Sequence, residues 1–236
     1  MFTCLYVLMC TMSLGTLSVV ATPIGNLQDI TARALETLRR VEIILCEDTR
    51  QMRRLLDHFG ISATTLSYHQ HNSSIVREKI VAFVQEGKSI ALITDAGTPG
   101  ISDPGNELIE HIIKRVPDAV ITPIPGPSAV TAALSVCGFP TSSFLFLGFP
   151  PHKNKRNKFF QEVAAATHTV VFYESSHRIK KCLQEIENVV EPDRLICVCR
   201  ELTKKFETMY RGKIRELKEM NISDKGEFVV VISEKR

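Results

Sequence analysis

No Gly-x-Gly-x-x-Gly turn follows a strand-like run in this chain, and no Gly-x-x-x-x-Gly-Lys-Ser/Thr loop is present, so its glycines support neither a dinucleotide nor ATP. A paired cysteine framework is also missing. The seven cysteines are scattered, and an odd number without a secretory signature points to free thiols in a reducing cytoplasm. Cys197 and Cys199 share one face of a strand-like run, but with no histidine beside them C-x-C is poor zinc spacing and core packing is the stronger reading. No internal repeat or low-complexity segment is evident. The first fourteen residues, MFTCLYVLMCTMSL, carry no charge, and no Lys or Arg precedes Arg33, so the basic start of a secretory leader is lacking. Read through to Ala21 the run just reaches bilayer-spanning length, yet Leu17–Ala21 is needed as a first strand. The expectation is a non-native or disordered leader over 1–14, with Met12 as the true start and no membrane anchor.

The 236 residues are 44% hydrophobic with mean hydropathy +0.03, enough for a good core in one large or two modest domains. A net charge of +3 permits an RNA partner without requiring one. Strand and helix patterns alternate as far as about Gly138, the mark of a largely parallel sheet with crossover helices. From Phe144 the strands lengthen and the helices thin, which predicts a mixed sheet. The expected organisation is two α/β domains, 15–138 and 139–236.

Three apolar runs discharge into loops of Gly, Pro and small polar residues. The fullest is TDAGTPGISDPG, Thr94–Gly105, after Ile90–Ile93, with two aspartates. Glycines there let backbone amides approach a ligand, prolines stiffen the loop, and Asp95 at the strand end is placed to accept from an amine or hydroxyl. PIPGPSA, Pro123–Ala129, enters a small-residue helix with Ser128 as the expected N-cap. ATPIGN, Ala21–Asn26, is the third. Any one of them reads as ordinary tight turns; together they suggest one shared ligand crevice.

Taken in order, ATPIGNLQDIT, CEDTR, TDAGTPGISDPG, PIPGPSA, VVFYESSHR, CRELTK and KGEFVVVI resemble the tetrapyrrole-methylase-like class of S-adenosylmethionine methyltransferases, from about Gly15 to the last residues. Within it the likeness is narrower, to the bacterial cytidine 2′-O-methyltransferases of small-subunit ribosomal RNA. The resemblance implies two α/β domains with a cofactor cleft between them, S-adenosylmethionine as cofactor, small-subunit ribosomal RNA or the assembled small subunit as partner, a homodimer, no metal, and a cytoplasmic location. Carried over motif by motif, it places Pro23 and Ile24 against the cofactor, Asp95 at its methionine or ribose portion with Gly97 and Thr98 as wall, and Ser128 and Ala129 at its carboxylate. Phe172 and Tyr173 would cover the adenine, and Gly226 with Glu227 would bind its edge; Phe172 also reads as core. Family members commonly continue beyond a KGEFVV-like strand with a segment thought to grip RNA. Here the chain stops at Arg236, so weaker RNA binding, or binding shared with a second subunit, is expected.

For a weakly nucleophilic ribose hydroxyl, an oriented acceptor or a cation favouring its ionised form would help. Glu47, Asp48 and Arg50 of CEDTR are the candidates, with a capped helix N-terminus and a Glu47–Arg50 pair as an equal alternative. Arg200 and Glu201 read as structural. His69 and His71 lack acidic or thiol partners at metal spacing and read as a substrate-facing loop; His177 reads as a helix cap. In GFPPHKNKRNKFF, Gly148–Phe160, the cations Lys153, Lys155, Arg156 and Lys158 stand among aromatics, as nucleic-acid binding requires, and Arg178 adds a further phosphate contact. A solvated helix start with core phenylalanines is the competing account. Beside ribosomal RNA methylation two other functions stay open: methylation of a tetrapyrrole or other small molecule, and a non-catalytic RNA-binding or ribosome-associated module.

Overall fold

The computed structural model describes residues 14–69 and 74–235. The described residues form two compact units, one within 14–21, 31–69 and 74–125, the other within 22–30 and 126–235. The elements of the first are β1 (Thr16–Val20), α1 (Ala32–Arg40), β2 (Ile43–Cys46), α2 (Thr49–His58), β3 (Thr64–Ser67), α3 (Ser74–Gln85), β4 (Ser89–Leu92), α4 (Asn106–Arg115) and β5 (Val120–Ile124). The second holds α5 (Ala129–Cys137), β6 (Phe144–Phe146), α6 (Arg156–Ala165), β7 (Thr169–Glu174), α7 (Ile179–Val189), β8 (Leu195–Arg200), β9 (Thr208–Lys213) and β10 (Phe228–Ile232). The leader expected over 1–14 lies, apart from Leu14, outside the described residues. No helix among the described residues is long and apolar enough to cross a membrane.

The first sheet is all parallel, in the order β3-β2-β4-β1-β5. Its inner strands are buried almost throughout, as strands covered on both faces must be; Leu17, Ile43, Leu45, Ile90 and Leu92 pack with Ile80, Val84, Leu108 and Ile112 of α3 and α4. Thr31 opens α1 by accepting from the Ala34 N–H at 3.1 Å, an ordinary N-cap. The second sheet is mixed, in the order β6-β7-β10-β8-β9, parallel between β6 and β7 and antiparallel elsewhere. Alternation along its strands sorts side chains between two helical layers. Val170, Phe172, Val230 and Ile232 meet α6 and α7; Val171, Cys197, Cys199, Val229 and Val231 meet α5. Cys197 and Cys199 are thus core residues.

The helix α5, assigned from sequence to the first domain, packs on the second sheet, and the units divide at Pro125/Gly126 rather than near Gly138. Apolar α5 residues such as Val130 and Leu134 suit either sheet as a sequence pattern. After β9 a single 3₁₀ turn, Ile214–Glu216, follows.

Candidate active site

In the first sheet β2 and β4 are neighbours, and the chain leaves β2 toward β3 but β4 toward β5, on the opposite side. Adjacent strands whose connections part in this way form the topological switch point at which open α/β sheets bind ligands, beyond the carboxyl ends of the strands. The two segments that emerge there are Glu47-Asp48 and Thr94–Gly105. They are tied together: Asp95 Oδ1 accepts from the Asp48 N–H at 3.3 Å, and Gln51 Nε2 donates to the Asp95 carbonyl at 3.5 Å.

Asp48 caps α2, its Oδ1 accepting from the Arg50 N–H at 2.8 Å and the Gln51 N–H at 3.3 Å. These donors, with Arg50 and Arg54 nearby, hold its carboxyl below the usual range, which suits a cap and makes a poor proton acceptor. Arg50 is exposed, and no Glu47–Arg50 ion pair forms among the described residues. Burial, then Asp95 and Asp48, push the Cys46 thiol up to about 11, so it stays protonated and inert.

The β4–α4 loop is stiff. Gly97, Gly100 and Gly105 adopt positive φ, Ser102 joins them at φ 61°, and the Gly100 N–H donates to the Pro104 carbonyl while Asn106 Nδ2 donates to Gly100. Thr98 accepts from the Ile101 N–H through its carbonyl. Held in this frame, half-buried Asp103 has its carboxyl pushed up to about 6 by burial and then by the charges of Glu47 and Asp95. Asp103 was visible as the second aspartate of its loop. Nothing local signalled its burial or that Glu47, on another loop, would bear on it.

In the second unit Ser128 occupies the N-cap position of α5 but makes no side-chain cap bond, unlike the expected cap. That leaves the positive end of a nine-residue helix without this partner. Ile24, Ala129 and Tyr173 pack against the same core cluster on the α5 side of the sheet, and Pro23 is buried beside Ile24. The resemblance placed Phe172 over an adenine, with core as the alternative; the structure puts it in the core. Phe172 is fully buried among Phe159, Phe160 and Val230, because strand alternation turns it to the α6–α7 side while Tyr173 faces the other way. Glu227 is bonded to its neighbours in the same unit. Its N–H donates to Glu201 Oε1 at 2.9 Å, its carbonyl accepts from the Glu201 N–H, and its carboxylate pairs with Lys204 at 2.8 Å, so its donor is taken while the carbonyl keeps a second lone pair. Gly226 permits this crossing: at φ 109° its missing Cβ would lie 2.6 Å from Glu201 Cγ.

Of the basic run, Lys153, Lys155 and Lys158 are exposed and make no ion pair among the described residues. Arg156 is corrected: it is 4% exposed, with Nε on Glu185 at 2.8 Å and Nη2 on Glu174 at 3.3 Å. Burial works against its charge, but Glu185 and Glu174 outweigh burial and raise its pKa. Arg178 is also engaged, with Nε 2.9 Å from Glu174 and Nη1 donating to the Pro150 carbonyl. Phe159 and Phe160 are core. His69 pairs with Ser67 Oγ at 2.9 Å, His177 is exposed, and His71 lies outside the described residues.

A five-stranded parallel sheet followed by a five-stranded mixed sheet defines an α/β methylase fold. Solved structures agree: the methyltransferase CobJ matches at TM-score 0.68 with 19% identity, over 94% of this chain and 96% of that one. A uroporphyrin-III-C-methyltransferase from Thermus thermophilus matches at 0.65 with 15% identity, over 93% and 94%. The model of the Tetrapyrrole (Corrin/Porphyrin) Methylases matches residues 16–218, and the chain belongs to that family. Among curated relatives, the ribosomal RNA small subunit methyltransferase I of Xylella fastidiosa is 45% identical over 92% of this chain and 81% of its own length. The protein of the same name from Escherichia coli O157:H7 is 43% identical, over 93% and 78%. That of Hydrogenobaculum is 43% identical, over 92% and 95%.

Proposed function

We propose that the protein transfers a methyl group from S-adenosylmethionine to the 2′-hydroxyl of a cytidine in small-subunit ribosomal RNA. The observation that carries this reading is near-full-length identity above 40% to relatives that bear one name, ribosomal RNA small subunit methyltransferase I. The donor set suits the cofactor: α5 offers an uncapped positive N-terminus for a carboxylate, and Asp95 offers carboxylate oxygens for an amine or hydroxyl. The cofactor supplies a methyl group on a sulfonium whose leaving group departs neutral, so the chain's residues mainly position. Gly97 and Thr98 wall the site beside Asp95. Taken by itself, the second unit offers Ser128 and Ala129 to a carboxylate and Pro23, Ile24 and Tyr173 as apolar surface. Of the CEDTR candidates, Asp48 serves as cap, leaving Glu47 to orient the hydroxyl and Arg50 to favour its ionised form. Exposed Lys153, Lys155 and Lys158 meet RNA phosphate. The protein acts in the cytoplasm as a homodimer, with no metal.

The test is mass mapping of small-subunit ribosomal RNA from a strain without the gene. One cytidine should lose a methyl group and regain it on complementation. Intact ribosomal RNA methylation with altered corrinoids or porphyrins would replace this reading with a small-molecule methylase. Calorimetry that finds no S-adenosylmethionine binding would leave a non-catalytic module.

A further inference from the structure

Just after β6 an aromatic ring stands out of the second unit, at a place that buried charges fix. Phe149 is 50% exposed. One side of its ring rests near Tyr173, with centroids 5.2 Å apart and planes tilted by 53°; Tyr173 meets Phe146 edge-on at 5.1 Å. The backbone on either side is pinned. The Gly148 carbonyl accepts from the Tyr173 N–H at 2.8 Å, the Pro150 carbonyl from Arg178 Nη1 at 2.9 Å, and the Pro151 carbonyl from Arg156 Nη1 at 3.2 Å. Glu174, with its side chain fully buried, holds both guanidiniums, and Glu185 holds Arg156 a second time.

Buried ion networks seldom stabilise a fold more than apolar packing of the same volume would. This one reaches the carbonyls of Pro150 and Pro151 in the β6–α6 connection, residues 147–155, so what it secures is the placement of that stretch. The two prolines remove most of the remaining freedom. Beyond them the same run carries Lys153, Lys155 and Lys158, exposed and without ion pairs among the described residues. A rigid exposed ring followed by unpaired cations has the chemistry of a single-stranded nucleic-acid platform: bases stack on the ring and phosphates meet the ammonium groups. Rigidity matters because an ordered ring loses little entropy when a base settles on it.

We propose that Phe149 is a base-stacking platform for a single-stranded stretch of RNA whose phosphates are met by Lys153, Lys155 and Lys158. This rests on the ribosomal RNA reading above and assigns that substrate an aromatic contact. Tyr173, against which Phe149 lies, shares the α5 side of the sheet with Ile24 and Ala129. A base on Phe149 is therefore held close to residues assigned to the cofactor.

The chain contains no tryptophan, so Phe149→Trp in the full chain gives a single tryptophan whose emission is excited selectively over the four tyrosines. The probes are a cytidine-containing single-stranded RNA, the isolated small ribosomal subunit, and S-adenosylmethionine alone. Either RNA probe should quench the emission and the cofactor should not. Phe149→Ala should weaken RNA binding about ten- to a hundredfold, leaving the slope of affinity against salt unchanged, while Phe149→Tyr keeps most of the affinity. Melting temperature and cofactor affinity should stay at wild-type values in all three variants. Emission unmoved by RNA, with wild-type affinity in Phe149→Ala, overturns the platform; if lysine reversal still weakens binding, the RNA reading survives without it. A quench by the cofactor alone makes Phe149 a cofactor wall and also overturns the proposal. Absence of RNA binding by the wild-type chain overturns both readings.

Discussion

Arg156 shows how much one residue's setting can differ from its neighbours'. Three exposed lysines surround it in sequence, yet it lies 4% exposed between two carboxylates. Removing the guanidinium strands Glu174 as a buried, incompletely paired charge. Arg156→Ala should therefore cost about 3–5 kcal/mol, read from urea denaturation, whereas Lys155→Ala should change stability by less than about 0.5 kcal/mol. Equal effects would mean that the buried pairing is not formed. Asp103 gives a pH-dependent counterpart. Its folded pKa lies above the unfolded value of 3.8, at about 6, so the fold holds the proton more tightly than the unfolded chain does. The penalty is absent below pH 3.8, grows as pH rises, and is complete above about 6. Asp103→Asn should thus be more stable than wild type at pH 7, by about 1 kcal/mol given the solvent that reaches the half-buried carboxyl, and no more stable near pH 3.5. Melting curves across that range check the sign.

Among the elements, α1 depends on its cap. Thr31→Ala removes the acceptor for the Ala34 N–H and should cost about 1 kcal/mol without moving cofactor affinity. The β4–α4 loop and the start of α5 should behave the other way. Asp95→Ala and Ser128→Trp are each expected to weaken S-adenosylmethionine binding about tenfold or more, one by removing an acceptor and the other by filling the helix N-terminus. Calorimetry giving wild-type affinity in both, with the fold intact, would remove these loops from the site. Element types followed from local pattern, since β4, β7 and β10 are apolar runs and α1, α4 and α7 are amphipathic. The strand β3 carries no legible local pattern, because Thr64-Thr-Leu-Ser67 is short, partly exposed and stands at the sheet edge. Only pairing with β2 identifies it as a strand.

At the scale of the whole molecule, the RNA surface is the quantity to test. Charge reversal at Lys153, Lys155 and Lys158 should flatten the log–log salt dependence of single-stranded RNA binding by about 2, because each lost phosphate contact removes about 0.7. Methylation of ribosomal subunits should fall while cofactor affinity holds. An unchanged slope would move RNA recognition elsewhere, to exposed His69 first.

The sequence by itself determined the alternation of strands and helices, the parallel-then-mixed order of sheets, the absence of a dinucleotide or ATP loop, and the motif set that places the chain among the methylases. Each of these is written in spacing over a few residues, where backbone period and turn chemistry act. Tertiary structure alone decided which of two neighbours does what. Phe172 goes to the core while Tyr173 goes to the α5 face, Arg156 is buried between lysines that are not, and Asp103 takes up the charge of Glu47 from another loop. It also decided that α5 joins the second sheet. Burial and ion pairing act between residues far apart in the chain. No local pattern can state them before the strands are ordered and the helices laid on their faces.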